Sequence, residues 1–417
     1  MTTGLPSTAP LLLRNARILD PESGTYTEGD LLAVDGRVVE RGTHLRAPRH
    51  AETRDMRGSY VLPGLIDAHV HVTAITADLA SIATTSPLYV AAHTIKIMGG
   101  MLDRGFTTVR DLGGADYGIA AAQAEGTVRG PWLAFGGRAL SQTGGHGDYR
   151  GPGTHLRDDH PCCGDDSRIA DGVDAVRAAA RDELRKGSHH LKVMASGGVA
   201  SPTDRIDSTQ YSMPELRAAV EEAEACNRYV AAHAYHARAV NRALETGVRS
   251  IEHGNLIDDR SVQLLLEHDA FLVPTLVTYW ALANEGPGFG LPEDSHRKVN
   301  DVLDAGLAAL ERAHRGGVTL VYGSDLLGGM HRHQNEEFRI RARIQPPIDV
   351  IRAATTNAAR LLGQEGSIGT LTVGARADAI VLDTDPLQNL AALADPALHM
   401  PLVIQAGAIT HDRHPTT

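Results

Sequence analysis

Eight apolar runs of β-branched character recur along the middle of the chain, separated by stretches with helical spacing, and this alternation restricts the fold more than any other feature. The runs are Leu65–Val72, Thr107–Leu112, Trp132–Gly136, His190–Ala195, Tyr229–His233, Ser250–His253, Ala270–Thr275 and Thr319–Asp325. Strands joined through helices form a parallel sheet, because a parallel neighbour is reached only by a crossover long enough to hold a helix. Eight such units are the number that closes a (β/α)8 TIM barrel. Among the connections, Val173 to Arg185 puts Val173, Val176, Ala180 and Leu184 at helical spacing, and Met213 to Cys226 begins with the cap Ser212 and Pro214 in its first turn. The connection Gly137 to Arg168 is rich in Gly, Asp and His and far longer than ordinary loops, which marks it as functional or disordered.

The two ends read differently. Leu11 to Leu19 and Leu31 to Glu40 are strand-like, with Asp35-Gly36 a hairpin signal, and Ala377 to Leu382 and Leu402 to Thr410 have the same character, with Ala406-Gly407 interrupting the second. Neither end has enough strands to bury a sheet face alone, so the expectation is an α/β protein with a small β-sandwich domain assembled from both termini. The segments are 1–62 and 366–417 for that domain and 63–365 for the barrel, and 417 residues are enough for both.

A net charge of −11 argues against a nucleic-acid or anionic-membrane partner, since either needs a basic face. Met1 to Pro10 lacks the pattern of a secretory signal, and no apolar run is long enough for a membrane span, so a cytoplasmic protein is expected. Three cysteines, Cys162, Cys163 and Cys226, are too few for a disulfide framework; the adjacent pair reads as reduced loop thiols, with a soft metal site as the alternative.

In such a barrel the chemistry sits at the C-terminal ends of the strands. His69 and His71, two apart on the first run, would present their imidazoles from one face. His233 ends the fifth run, His253 the sixth and Asp325 the eighth. A single histidine at a strand end is more often structural; five such residues at strand ends together point to a metal centre. Lys192, in His190-Leu191-Lys192-Val193-Met194-Ala195, is a charge in an apolar strand, where an unpaired ammonium is costly and loses its proton more easily. The neutral amine can take up carbon dioxide to give a carbamate, an anionic donor able to bridge two cations; the alternative is a lysine paired with a neighbouring acid.

These stretches resemble the amidohydrolase superfamily, in its binuclear-metal form with a carboxylated bridging lysine. The resemblance rests on Pro63-Gly64-Leu65-Ile66-Asp67-Ala68-His69-Val70-His71, Lys192 to Gly198, Ser250-Ile251-Glu252-His253-Gly254, Gly323-Ser324-Asp325 and Gly374 to Leu382. It implies that His69 and His71 hold one divalent ion with Asp325, that His233 and His253 hold a second, and that carboxylated Lys192 bridges them. Zinc is the family's usual metal, and the nitrogen and oxygen donors also suit manganese, cobalt or iron. A hydroxide activated by the metals would attack the carbonyl, with Asp325 as the base that passes its proton to the leaving nitrogen.

Gly144-Gly145-His146-Gly147-Asp148 and His233-Ala234-Tyr235-His236 are similar to the imidazolonepropionase-like and prolidase-like branch, which includes Xaa-Pro dipeptidases, ochratoxinase-like amidases and some phenylurea or carbamate hydrolases. There His146 and Tyr235 would grip a substrate carbonyl or carboxylate, or simply line the pocket. His236 stands where mononuclear deaminases of the superfamily carry a glutamate, and is a third candidate for substrate binding. His331 and His333 follow Asp325 closely and read as solvated loop histidines, or as residues that reach the pocket. The leading expectation is hydrolysis of a small-molecule amide, a dipeptide or N-acyl amino acid, by a homo-oligomer. Urea, carbamate or cyclic-amide hydrolysis and a metal-free scaffolding role are the alternatives.

Overall fold

In the computed structural model, which describes residues 9–151, 153, 166–201 and 203–413, the N-terminal runs pair with one another as antiparallel strands β1 (Leu11–Asp20), β2 (Thr25–Val34) and β3 (Arg37–Gly42). Asp35 and Gly36 link β2 to β3 with φ of 49° and 74°, the primed-turn geometry whose twist suits a two-residue hairpin. Strands β4 (Glu52–Asp55) and β5 (Tyr60–Pro63) run parallel to β1, and Ala379–Leu382, Leu402–Gln405 and Ala408–Asp412 from the far end of the chain extend the sheet beyond β5. One eight-stranded mixed sheet is thus built from both chain ends. The two-residue period of its strands decides what it covers. Val61 and Val381 face each other and join Leu11, Leu13 and Leu402 in the sheet's own core. Leu62 and Ile380, one residue out of phase, pack with Met98, Leu102 and Phe106 of the α/β body.

That body contains two parallel sheets. The first is β6 (Leu65–Val70), β7 (Phe106–Asp111) and β8 (Trp132–Phe135). The second holds β9 (Ala139–Ser141), β10 (Ser167–Ile169), β11 (Leu191–Met194), β12 (Val230–His236), β13 (Ser250–Leu256), β14 (Phe271–Val273) and β15 (Thr319–Leu320), in the order β10-β9-β11-β12-β13-β14-β15. Backbone hydrogen bonds tie the sheets at both edges: Ala68 N to Tyr322 O at 2.8 Å on one side, His189 N to Phe135 O at 2.9 Å on the other.

Each of the eight expected runs contains a strand, and two features differ. Gly137 to Arg168 is not loop throughout, since it supplies β9 and the first residues of β10, each strand too short to show a period. The last run forms a ladder only over Thr319–Leu320; Val321 N still bonds to Leu272 O at 2.9 Å and Tyr322 O accepts from Ala68 N, and the chain turns away by Asp325. Helices Val173–Arg185 and Met213–Ala225 fall where the spacing puts them, the second with a complete capping box between Ser212 and Glu215. Among the described residues no helix is long and apolar enough to cross a membrane, and the Cys162-Cys163 pair lies outside those residues.

Candidate active site

The strand period that alternates side chains across a sheet brings His69, near the end of β6, and His71, just past it, to the same oxygen: each Nε2 lies 3.3 Å from Asp325 Oδ1. The donor atoms of these three residues all fall within 4.8 Å of one another, a spacing that can hold a metal ion. Asp325 reaches this point by a backbone turn, with φ of 53° and its N–H bonded to His69 O at 2.8 Å. His253 sits on β13 at a one-residue bulge opposite β12 and also has a left-handed φ, 73°. Such conformations cost about 1–3 kcal/mol each outside glycine and persist where the surroundings dictate them, as at sites that must aim a side chain. The His253 ring then lies 4.9 Å from His69 and 4.6 Å from His233.

Each imidazole is held by one nitrogen, which leaves the other for a metal. Glu252 Oε2 binds His69 Nδ1 at 2.9 Å, Gly113 O binds His71 Nδ1 at 3.0 Å, Thr275 Oγ1 binds His253 Nδ1 at 2.8 Å, and Gly197 O binds His233 Nε2 at 3.1 Å. Glu252 is itself fixed by the fully buried Arg110 at 2.8 Å, and Arg110 donates to Ala68 O. Asp67 staples the two sides of the site, accepting from His69 N, Ser324 N, Ser324 Oγ and Gln334 Nε2. Glu252, Arg110, Asp67 and Thr275 were not singled out from the sequence. Glu252, Arg110 and Asp67 carry the signal that exposed Lys192, a charge inside an apolar strand, whereas Thr275 has no linear signal.

Lys192 is 2% exposed, and no hydrogen bond or ion pair to it occurs among the described residues. Burial lowers its pKa to about 8, against the opposing pull of Glu252 and Asp325. It lines one cavity with His69, His71, His233, His253 and Asp325, and His146 and Tyr235 line the same cavity. The empty space around these side chains is about 590 Å³, open solvent at the mouth included. His146 stacks on His233 at 4.1 Å, and burial lowers its pKa to about 4, so it is neutral. His236 is not brought to the cavity; it is half-buried at the start of helix Ala237–Glu245. His331 is buried with Nε2 on Ala74 O at 3.2 Å and is not a solvated loop residue, while His333 pairs with Glu285 at 2.9 Å; neither lines the cavity.

The donor set fits a metal: neutral nitrogens and one carboxylate converge where burial would otherwise isolate them. Without the ion, charge is shared with protons. Burial lowers the His71 pKa but is outweighed by Asp325, with Asp111 and Asp166 adding, and the group is raised to about 9. A histidine raised above its unfolded value of 6.5 contributes stability that is complete below that pH and lost as pH rises through about 9. Lys192, lowered to about 8, acts in the opposite sense above that pH. The expected result for chelator-treated protein is that the Tm difference between wild type and His71→Asn shrinks from pH 6.5 to pH 9. A constant difference across that window would show that His71 carries no proton in the metal-free state.

The Amidohydrolase family profile matches residues 60–403, and the chain belongs to that family. Ochratoxinase of Aspergillus niger is 33% identical over 405 residues, covering 91% of this chain and 83% of that enzyme. A prolidase crystallised with N-methylphosphonate-L-proline superposes with a TM-score of 0.94 at 46% identity, over 97% of this chain and all (100%) of the other. The crystal structure of A. niger ochratoxinase superposes with a TM-score of 0.84 at 28% identity, over 97% of this chain and 96% of that one. The chain is accordingly a hydrolase acting on amide bonds.

Proposed function

We propose that this protein is a binuclear metal-dependent amidohydrolase that cleaves an amide or peptide bond whose leaving group is an amino acid, in a dipeptide or an N-acyl amino acid. The observation that carries this reading is the convergence on one cavity of four imidazoles, Asp325 and a buried lysine with no ion-pair partner among the described residues. On this reading the two parallel sheets form one barrel over residues 63–365, and segments 1–62 and 366–417 form a separate β domain. His69, His71 and Asp325 would hold one ion, His233 and His253 a second, and the carbamate of Lys192 both, with zinc the metal that this donor set suits. Ions bound there supply polarisation of the scissile carbonyl and a lowered pKa for the attacking water.

The side chains do the rest. Asp325 is held well below the usual carboxylate range; burial would raise it, but His69 and His71 prevail, so it is ionised and able to take a proton from water and pass it to the leaving nitrogen. Tyr235 and His146 face the substrate's carbonyl or carboxylate. Leu79, Val199, Leu282 and Leu327 give the cavity an apolar wall, which suits a hydrophobic acyl group. The ochratoxinase and prolidase relatives support an amino-acid leaving group.

The test is a panel of dipeptides, N-acyl amino acids, ureas, carbamates and lactams, run on enzyme of measured metal content. Dipeptides or N-acyl amino acids should exceed the other classes in kcat/KM by more than about 100-fold, beyond what shape selection in an apolar pocket alone supplies. Their C-terminal amides should lose most of that advantage, and chelation should remove activity that divalent metal restores. Turnover confined to ureas or lactams would replace the substrate assignment, and purification without stoichiometric metal would favour a scaffolding role.

A further inference from the structure

After β11 the chain turns so that three backbone carbonyls converge on one point. Gly198 O, Ser201 O and Asp204 O all accept from the ammonium of Lys298, at 3.1, 2.8 and 2.8 Å. Lys298 stands in the second turn of helix Glu293–Arg315, far along the chain. An ammonium has three protons to give, one for each carbonyl. Among the described residues no other donor reaches any of the three, and carbonyls of a turn that face inward need one. The Asp204 side chain, 3% exposed, adds a charge to the same point: its Oδ1 lies 3.6 Å from Lys298 Nζ. That carboxylate also accepts from Gly198 N at 3.2 Å, from Gln210 Nε2 at 2.9 Å and from the Ser201 hydroxyl, so it ties the two ends of the turn together. Converging backbone oxygens of this kind can replace the hydration shell of a free potassium ion. Here the cation belongs to the chain.

The turn has a second face. Val199 and Ala200 lie between two of the three carbonyls, and both line the cavity. Val199 belongs to one apolar cluster with Val299 and Val302, which follow Lys298 on its helix, and with Leu282 and Leu327 of the cavity wall. The ammonium and the apolar contact therefore hold the same short stretch of backbone, one from each side. Without the ammonium, three carbonyl dipoles and a carboxylate would face one another with no positive charge between them, and the stretch that carries Val199 and Ala200 would have to open.

We propose that Lys298 is a positioning residue, a tethered cation in a nest of backbone oxygens, which fixes Val199 and Ala200 in the cavity wall and so sets how tightly the acyl group of the substrate is held. The part that concerns substrate rests on the amide-hydrolase reading. Lys298 does not line the cavity and acts only through the turn. Because the nest answers to charge and size, a free potassium or ammonium ion should be able to take the place of the side chain. A wall residue holds ground state and transition state alike, so its displacement is read in KM and not in kcat.

The experiment compares wild type with Lys298→Met in metal-loaded enzyme, in sodium, potassium or ammonium chloride at equal ionic strength. One readout is the rate of tryptic cleavage after the exposed Arg205, which lies in the same turn and is cut in proportion to the population of the opened form. The other is kcat and KM on whichever amide the wild type turns over. In sodium the variant should be cut after Arg205 about tenfold faster, and its KM should rise about tenfold with kcat within about twofold, the scale of one hydrogen bond to a charged group. Potassium or ammonium should return both values toward those of wild type, and wild type should not respond to the change of salt. Lys298→Gln, which keeps two protons but no charge, takes the place of Lys298→Met where that variant does not fold, with the same response to salt. Cleavage and KM at wild-type values in the variant, losses that potassium and ammonium leave unchanged, or a fall in kcat alone would each overturn the proposal. Cleavage after Arg205 needs no turnover, so it tests the nest even where the amide-hydrolase reading fails.

Discussion

The Lys192→Ala variant is expected to lose amide hydrolysis by more than about 10³-fold, the scale seen when a member of a catalytic unit is removed, and to purify with much less metal than wild type. The reason is the isolation of this amine. Its burial lowers the pKa to about 8, so a substantial fraction is neutral near that pH, and no carboxylate among the described residues is close enough to bind it. A neutral amine adds to carbon dioxide, forming a nitrogen–carbon bond and releasing a proton, and the product carries the charge that two cations require. Acetate or propionate should therefore restore part of the activity in the variant by supplying oxygen donors to the vacated space. The structural alternative makes a different forecast. A lysine kept for an ion pair would leave its acid unpaired when removed and lower the Tm, whereas here the metal-free variant should melt within a few degrees of metal-free wild type, since only a poorly solvated group is lost. Full activity and unchanged metal content in Lys192→Ala would end the carbamate argument.

How much of this was legible in the sequence follows from what each feature depends on. Helix Val173–Arg185 is visible because its apolar residues repeat with the helix itself, and the Asp35-Gly36 hairpin because only certain residues tolerate two positive φ angles in succession. Strands β9 and β10 are invisible because three residues carry no period, and their hydrogen bonds come from neighbours distant in the chain. The eighth run reads as a strand to Asp325; its ladder ends at Leu320, Val321 and Tyr322 still bond to neighbours on either side, and Asp325 then takes the left-handed conformation that brings its carboxylate to His69 and His71, a turn that nothing in the residue string marks. Residues that carry charge into apolar strands were legible in principle. Lys192 has no other candidate ligand beside it and stands out as a lone charge, whereas Glu252 sits beside His253 and is masked by that motif. The Lys298 contacts join residues 94 to 100 apart on a helix and a turn, and appear only when the chain is folded.

Glu252→Gln is the other substitution with a large expected effect, and it separates what holds the fold from what holds the metal. Burial would raise the Glu252 pKa, but Arg110 and His69 together hold it well below the usual carboxylate range, so the pair is charged in a place water does not reach. Removing the carboxylate charge leaves the Arg110 guanidinium uncompensated, which costs about 3–5 kcal/mol for a buried pair broken on one side. His69 also loses the anion on Nδ1 that makes its Nε2 a better donor, and partners of this kind are worth about 10–100-fold in metal affinity. Replacing both residues, as Arg110→Met with Glu252→Leu, removes the buried charges together and should recover most of the stability, because an apolar pair of similar volume is often neutral or better. It supplies nothing for His69 Nδ1, however, so metal affinity should remain low. Denaturant melts of the metal-free proteins set against metal titrations should therefore diverge: the single variant weak in both, the double variant stable but poor at binding. Recovery of both in the double variant would mean that Glu252 serves only to neutralise Arg110, and that His69 is aimed by packing alone.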